Sequence, residues 1–161
     1  MDSESKYFIM IMLIFGLGSI ITQSLLVPFI EINVWKPDLV LIVVLLTGRR
    51  FGSSKGSTAG FVLGLLQDSL TSMPVGITAI PKIIAGYSSG KLRKFKVEGI
   101  YNFLWFLLFI FLHEVILYAF FQYKLELSYS FLIYSRAFPN TIYSLVMLVI
   151  VHFFTQKFFS E

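Results

Sequence analysis

Residues Tyr7 to Ile30 form a run of twenty-four residues without a single charge. As a helix rising about 1.5 Å per residue, such a run reaches roughly 36 Å, enough to cross the roughly 30 Å hydrocarbon core of a bilayer with some tilt. A second apolar stretch runs from Ile100 to Gln122, interrupted only by His113 and Glu114, and a third from Ala137 to Phe159 begins beside Pro139 and contains His152. The composition agrees: 57% of residues are hydrophobic and only 14% charged, against about a quarter in an ordinary globular chain. A water-soluble domain of 161 residues could not cover so much apolar surface. The first six residues carry Asp2 and Glu4 beside one lysine, and the run behind them is too long for a cleavable leader, so the first helix is expected to be retained. With no cysteine, disulfide scaffolding, thiol catalysis and iron-sulfur ligation fall away.

The middle of the chain is less regular. Val34 to Thr47, Ser57 to Leu70 and Val75 to Ser89 are apolar segments of only fourteen or fifteen residues, roughly 21 to 23 Å of helix. Three arrangements compete: short helices in a thinned membrane, broken helices with shielded ends, or a re-entrant pair inside the protein. The favoured expectation is three short spans, giving a single all-α polytopic domain over residues 1–161 with about six transmembrane helices. Charge supports that count. With both termini on one side, Lys6, Arg49, Arg50, Lys55, Lys91, Arg93, Lys94, Lys96 and Lys157 share a face, while Lys36, Lys124 and Arg136 lie opposite and Lys82 falls inside a span. The basic face is expected to be cytoplasmic, and with it both termini. A re-entrant pair would leave the same loops on one face, so charge does not separate the two arrangements.

Lys36 to Leu92 holds most of the eleven glycines and three of the five prolines. Gly56, Gly60 and Gly64 recur at intervals of four, a stripe on one helix face that Gln67 and Asp68 prolong. Small residues let another backbone come close, so the stripe serves either helix packing within the chain or a homodimer seam. A carboxylate at Asp68 costs about 2.5 to 3.5 kcal/mol in an apolar span unless it is paired, hydrated or protonated. The turn around Pro74 and Gly76 folds the next helix back, bringing Lys82 within about one helical turn of the same depth. An Asp68–Lys82 ion pair is therefore expected, the alternative being two groups that snorkel apart. Pro37 and Asp38 suit the first turn of a short helix, and Gly48 suits its stop, with Arg49 and Arg50 beyond it meeting headgroups or a cytosolic partner.

This segment resembles the bacterial MreD family of rod shape-determining proteins. The resemblance rests on Lys36-Pro37-Asp38 ahead of a short apolar run, Arg49-Arg50-Phe51-Gly52, Gly60 through Asp68, Met73-Pro74-Val75-Gly76, and Ala85-Gly86-Tyr87. It covers about a third of the chain closely, the flanks agreeing in length and hydrophobicity. The resemblance implies an inner-membrane, non-catalytic component of the elongation machinery. Such a protein associates with the bitopic protein MreC and links MreB filaments to wall synthases during peptidoglycan synthesis. It also implies a fold similar to the six-helix substrate-binding subunits of energy-coupling-factor transporters, which makes a small-molecule-binding transporter subunit the rival reading.

Other chemistry finds little support. No glycine-rich phosphate loop is present, and no His-x-x-x-His spacing that would suggest a metal site, so no cofactor is expected. His113 and Glu114 are adjacent and project about 100° apart on a helix, so they are not expected to act as a pair on one face. Glu114 nonetheless sits deep in its span, either stabilised by His113, Asn140 or His152 or held for a partner helix. Tyr101, Trp105, Tyr118, Tyr123, Tyr129 and Tyr134 are expected at the membrane interfaces. The cluster Lys91, Arg93, Lys94 and Lys96 is expected to meet anionic lipid or a partner rather than nucleic acid.

Overall fold

The computed structural model describes residues 3–71, 74–95 and 99–159. Among these residues the regular elements are helical, joined at one loop by a single bridge between Ile32 and Trp35. Helix α1 (Ser3–Leu25) passes through a π-helical turn at Met12–Gly16 and is followed by one further helical turn, Val27–Ile30. Then come α2 (Leu39–Phe51), α3 (Ser53–Leu70), α4 (Ala79–Phe95) and α5 (Ile100–Leu125). The last arm, α6, runs through Tyr129–Leu132, a π-helical turn at Ile133–Ala137 and Phe138–Phe159.

Three stretches, Ser3–Leu25, Ile100–Gln122 and Tyr129–Thr155, are long and apolar enough to cross a membrane. The middle helices are displaced from the apolar segments that marked them. Helices α3 and α4 have 18 and 17 residues because they take in the polar ends Ser53–Gly56 and Gly90–Phe95. Only 13 residues make up α2, about 20 Å of helix. It is the axis of the bundle: every residue from Leu39 to Gly48 is buried, and Val40, Leu41, Ile42, Val44 and Leu45 are fully so. A helix sheathed by protein has no need to reach water at both ends.

The helix does not stop at Gly48, as its sequence suggested. Gly48 lies inside α2 with the backbone of Gly86 and Gly90 against it, and the stop comes at Gly52, whose φ of 91° lies in the region that favours glycine. The glycine stripe is used within the chain. A methyl group on Gly56 would overlap the carbonyl of Gly86 and the Cα of Gly48, one on Gly60 would overlap the backbone of Lys82, and one on Gly64 would meet Ala79. Three helix backbones thus converge at Gly48, Gly56 and Gly86, and the Ser89 hydroxyl adds a 2.6 Å hydrogen bond to the Leu45 carbonyl. With these glycines occupied internally, the stripe is not available as a homodimer seam.

Proline chemistry joins the last arm to the second loop. Pro139 has no N–H to donate to the Ser135 carbonyl one turn back, and the Trp35 indole N–H donates to that carbonyl instead, at 2.8 Å. The Tyr143 hydroxyl likewise donates to the Ile30 carbonyl at 2.6 Å.

At the opposite end of the bundle, Glu4 lies 3.5 Å from both Lys55 and Arg93, which brings the start of α1, the α2–α3 corner and the end of α4 to one face. The Arg50 guanidinium sits over the rings of Tyr7 and Phe51, at 5.1 and 5.5 Å, and Lys91 over Tyr87 at 4.7 Å. Arg49 belongs with Arg50 to the last turn of α2, and Lys94 is exposed at the end of α4. Lys96 and Met73 lie outside the described residues.

Gly60→Val is expected to lower stability by at least about 1 to 3 kcal/mol, since the α3 and α4 backbones would have to separate. Gly18→Ala, where nothing lies within 4 Å of the added methyl, should change it by less than about 1 kcal/mol. Unfolding midpoints of the two variants in the same mild detergent check both.

Candidate functional site

A polar chain crosses the interior of this apolar bundle. Its first member is Asp38, the N-cap of α2, whose Oδ1 accepts the Leu41 N–H at 2.8 Å. Its Oδ2 lies 2.6 Å from the ammonium of Lys82, which comes from the second turn of α4 and is fully buried. A lone ammonium in that position would be prohibitively costly, so the pair is what permits Lys82 to be there at all. His113 follows on α5, its Nε2 3.5 Å from the same ammonium. Lysine can only donate, so Nε2 is the bare ring nitrogen and Nδ1 carries the proton toward Glu114 Oε1 at 3.2 Å.

Asn140 of α6 closes the chain. Its Oδ1 accepts the Lys36 backbone N–H at 3.0 Å, which fixes the orientation of the amide. The Nδ2 group then donates to Glu114 Oε2 and to the Tyr118 hydroxyl, both at 3.1 Å. The loop before α2 is tied in further. The Asp38 N–H donates to the Ser144 hydroxyl at 3.0 Å, and the Gln23 side chain accepts from Leu39 N–H at 2.8 Å while donating to the Pro37 carbonyl at 3.1 Å.

Asp68 does something different. Fully buried at the end of α3, its carboxylate accepts the Gly76 N–H at 2.7 Å and the Thr78 N–H at 3.2 Å, so it organises the turn into α4. The Thr78 hydroxyl returns a bond to the Gly64 carbonyl at 3.2 Å. Gly76, at φ 103°, supplies the backbone this turn needs, and Pro74 precedes it.

Above the chain lies a cavity of about 280 Å³ whose wall includes Gln23, Lys36, Asp38, Gln67, Glu114 and Asn140. The Gln67 Oε1 atom in this wall is buried without a hydrogen-bond partner. Among the described residues, no group of three or more histidine and carboxylate side chains is arranged to hold a metal ion.

The sequence model of the family described as rod shape-determining protein MreD matches residues 3–161. The chain belongs to the MreD family. No curated protein and no solved structure matches it. Membership extends over nearly the whole chain rather than the central third that carries the quoted motifs, and it makes this a cell-shape-related membrane protein. In this MreD-family chain the Lys36-Pro37-Asp38 segment puts Asp38 on the polar chain, and the Gly64-Leu65-Leu66-Gln67-Asp68 segment puts Asp68 at the turn into α4.

Three expectations are corrected by this geometry. Lys82 pairs with Asp38 rather than Asp68, because its side chain leaves α4 toward α2 and α5 while its main chain faces Gly60 of α3. His113 and Glu114 do interact, since two long side chains pushed into one interior can turn toward each other despite diverging Cβ directions. Tyr118 is 6% exposed and bonded to Asn140, not an interfacial anchor. Tyr101, Trp105, Tyr129 and Tyr134 are exposed, and the Tyr123 side chain lies outside the described residues. His152 takes no part in the Glu114 cluster and packs edge-on against Phe103. Of the three groups expected to stabilise Glu114, His113 and Asn140 do so, while Gln23 and Ser144 were missed. Polar residues four apart in an apolar helix, as Asn140 and Ser144 or Glu114 and Tyr118 are, were the available signal.

Lys82→Met and Asp38→Asn should each destabilise by about 3 to 5 kcal/mol, and the double variant should recover at least half of the summed loss. Asparagine keeps the α2 cap, so the cycle isolates the charge pair. Lys82→Met combined with Asp68→Asn should instead be additive within about 0.5 kcal/mol. Unfolding midpoints of the six proteins decide the pairing.

Proposed function

We propose that this MreD-family protein is a non-catalytic scaffold of the elongation machinery in the bacterial inner membrane. It associates laterally with an MreC-like bitopic protein and through it links MreB filaments to the wall synthases that build peptidoglycan. The single observation that carries the reading is family membership over residues 3–161. The distribution of polarity supports it: the buried Asp38, Lys82, Glu114 and Asn140 side chains hold helices together, while the outer faces of α1 and α6 offer apolar side chains such as Ile14, Ile21, Val146 and Ile150 to lipid or to a partner helix.

We further propose six membrane passages with both termini in the cytoplasm. Helix α3 and helix α4 each reach about 26 Å, and the turn between them lies beside Pro37 and Gln23 at the end of the bundle away from Glu4, Lys55 and Arg93. That supports two full passages rather than a shallow re-entrant pair, with the basic end inside.

Because the chain has no cysteine, single cysteines at the exposed Ser54 and Ser128 report sidedness cleanly. S54C should label only from the cytoplasmic side and S128C only from the other; labelling of both from one side would remove the six-passage arrangement. For the scaffold, affinity purification from native membranes should recover MreC-like and wall-synthase proteins. Recovery of ATPase subunits in their place would favour a transporter subunit.

A further inference from the structure

We propose that the outer end of the bundle binds a small zwitterion, a primary ammonium joined through two or three carbons to a phosphate or carboxylate. The inference does not depend on the scaffold reading and concerns the cavity above the polar chain. Its inner wall carries two acceptors with open positions, Glu114 and Gln67. Glu114 is 3% exposed, and both of its oxygens act as acceptors, from His113 Nδ1 and from Asn140 Nδ2, which leaves two of about four lone-pair positions open. Facing the same space, the buried Gln67 Oε1 has no donor, and an orphaned buried acceptor is costly enough to call for an explanation.

The outer wall is of opposite character. A second cavity of about 340 Å³ adjoins the first and shares Glu31, Lys36, Tyr118 and Phe121 with it, and Arg136 also lines it. A carboxylate with open acceptor positions thus lies deep, while two cations and one carboxylate, Glu31, lie at the mouth. Asp38 borders the inner cavity too, but its charge is already met by Lys82 at 2.6 Å. Counting Asp38, Glu31 and Glu114 against Lys82, Lys36 and Arg136, the site as a whole is neutral while its ends are not. A simple anion would have to sit against Glu114, and a simple cation would leave one of Lys36 and Arg136 unanswered, since Glu31 can meet only the other. A zwitterion satisfies both ends, its ammonium donating to Glu114 and Gln67 and its anion meeting Lys36 and Arg136. The inner volume suits a headgroup-sized fragment rather than a drug-sized ligand.

Two sources carry this chemistry: the headgroup of phosphatidylethanolamine, or a free zwitterion such as phosphoethanolamine. Binding is measured on the intact protein in two arms. Nanodiscs containing phosphatidylethanolamine or phosphatidylcholine are compared by native mass spectrometry for retained lipid, and phosphoethanolamine is titrated against detergent-solubilised protein with melting temperature as the readout. We expect at least tenfold preference for phosphatidylethanolamine, whose ammonium can donate where choline cannot, or a saturable stabilisation by phosphoethanolamine. The first outcome alone identifies a lipid headgroup as the ligand, and the second identifies a free zwitterion. Glu114→Gln should weaken either by at least tenfold. Should that variant fold poorly, Leu117→Trp fills the cavity without altering a charge, and Lys36→Gln removes a cation from the exposed mouth; each should weaken binding several-fold. No preference in the first arm together with no stabilisation in the second would overturn the proposal, as would wild-type binding by both Leu117→Trp and Lys36→Gln.

Discussion

In lipid the tails are as apolar as leucine, so helices gain little by hiding apolar faces from their surroundings and associate instead through close packing and hydrogen bonds. Contact of the α2, α3 and α4 backbones at Gly48, Gly56 and Gly86 is the form that packing takes here. Its consequences reach the polar interior. With Gly60 seated on the Lys82 main chain, the face of α4 carrying the Lys82 side chain is turned away from α3, toward the start of α2 and the middle of α5. The glycines therefore decide which carboxylate the lysine meets. Were α3 and α4 held apart by larger residues, Lys82 would lose the register that brings its ammonium to Asp38.

Asp38 in turn serves two requirements with one carboxylate, one oxygen capping α2 and the other meeting the ammonium. A short helix is well suited to this. Because α2 spans only about 20 Å, its N-terminus falls inside the protein, where unpaired N–H groups would be costly and a carboxylate answers both them and the positive end of the helix dipole. The same shortness places Gly52 and Arg50 at the other end, where the guanidinium lies over Tyr7 and Phe51.

Much of this organisation was legible in the sequence. The long apolar runs located α1, α5 and α6, the glycine spacing located the tight face of α3, and the cost of charge in lipid marked Asp68, Lys82 and Glu114 as residues that had to be answered. What could not be read was the identity of each partner, because hydropathy fixes depth while pairing depends on how each helix is rotated about its own axis. Asp68 and Lys82 are neighbours along the hairpin and looked complementary, yet backbone N–H groups at Gly76 and Thr78 answer the first and a residue 44 positions away answers the second. Gln23 and Ser144 were invisible for a related reason: an uncharged polar side chain in an apolar helix carries no pattern until the facing segment is known. Gly48 misled because a glycine near a helix end reads as a stop, whereas here it lets the α4 backbone pass where a methyl group would overlap the Gly86 carbonyl.

The polar chain also limits how the bundle can move. Asn140 holds the loop before α2 through Lys36 N–H and holds α5 through Glu114, so sliding α6 along α5 must break bonds on both sides of one amide. In a medium without water to replace them, such bonds are lost outright rather than exchanged. The Trp35 bond to Ser135 and the Tyr143 bond to Ile30 reinforce the same junction from the outer end. By contrast, the opposite end is held by exposed ion pairs of Glu4, each worth at most about 1 kcal/mol. The two ends are thus held by different means: buried hydrogen bonds where the cavity sits, and at the basic end the close approach of Gly90 to the Ser53 backbone with Phe51 packed against Tyr7 and Phe8. A filled cavity would add contacts to the end already held by buried bonds.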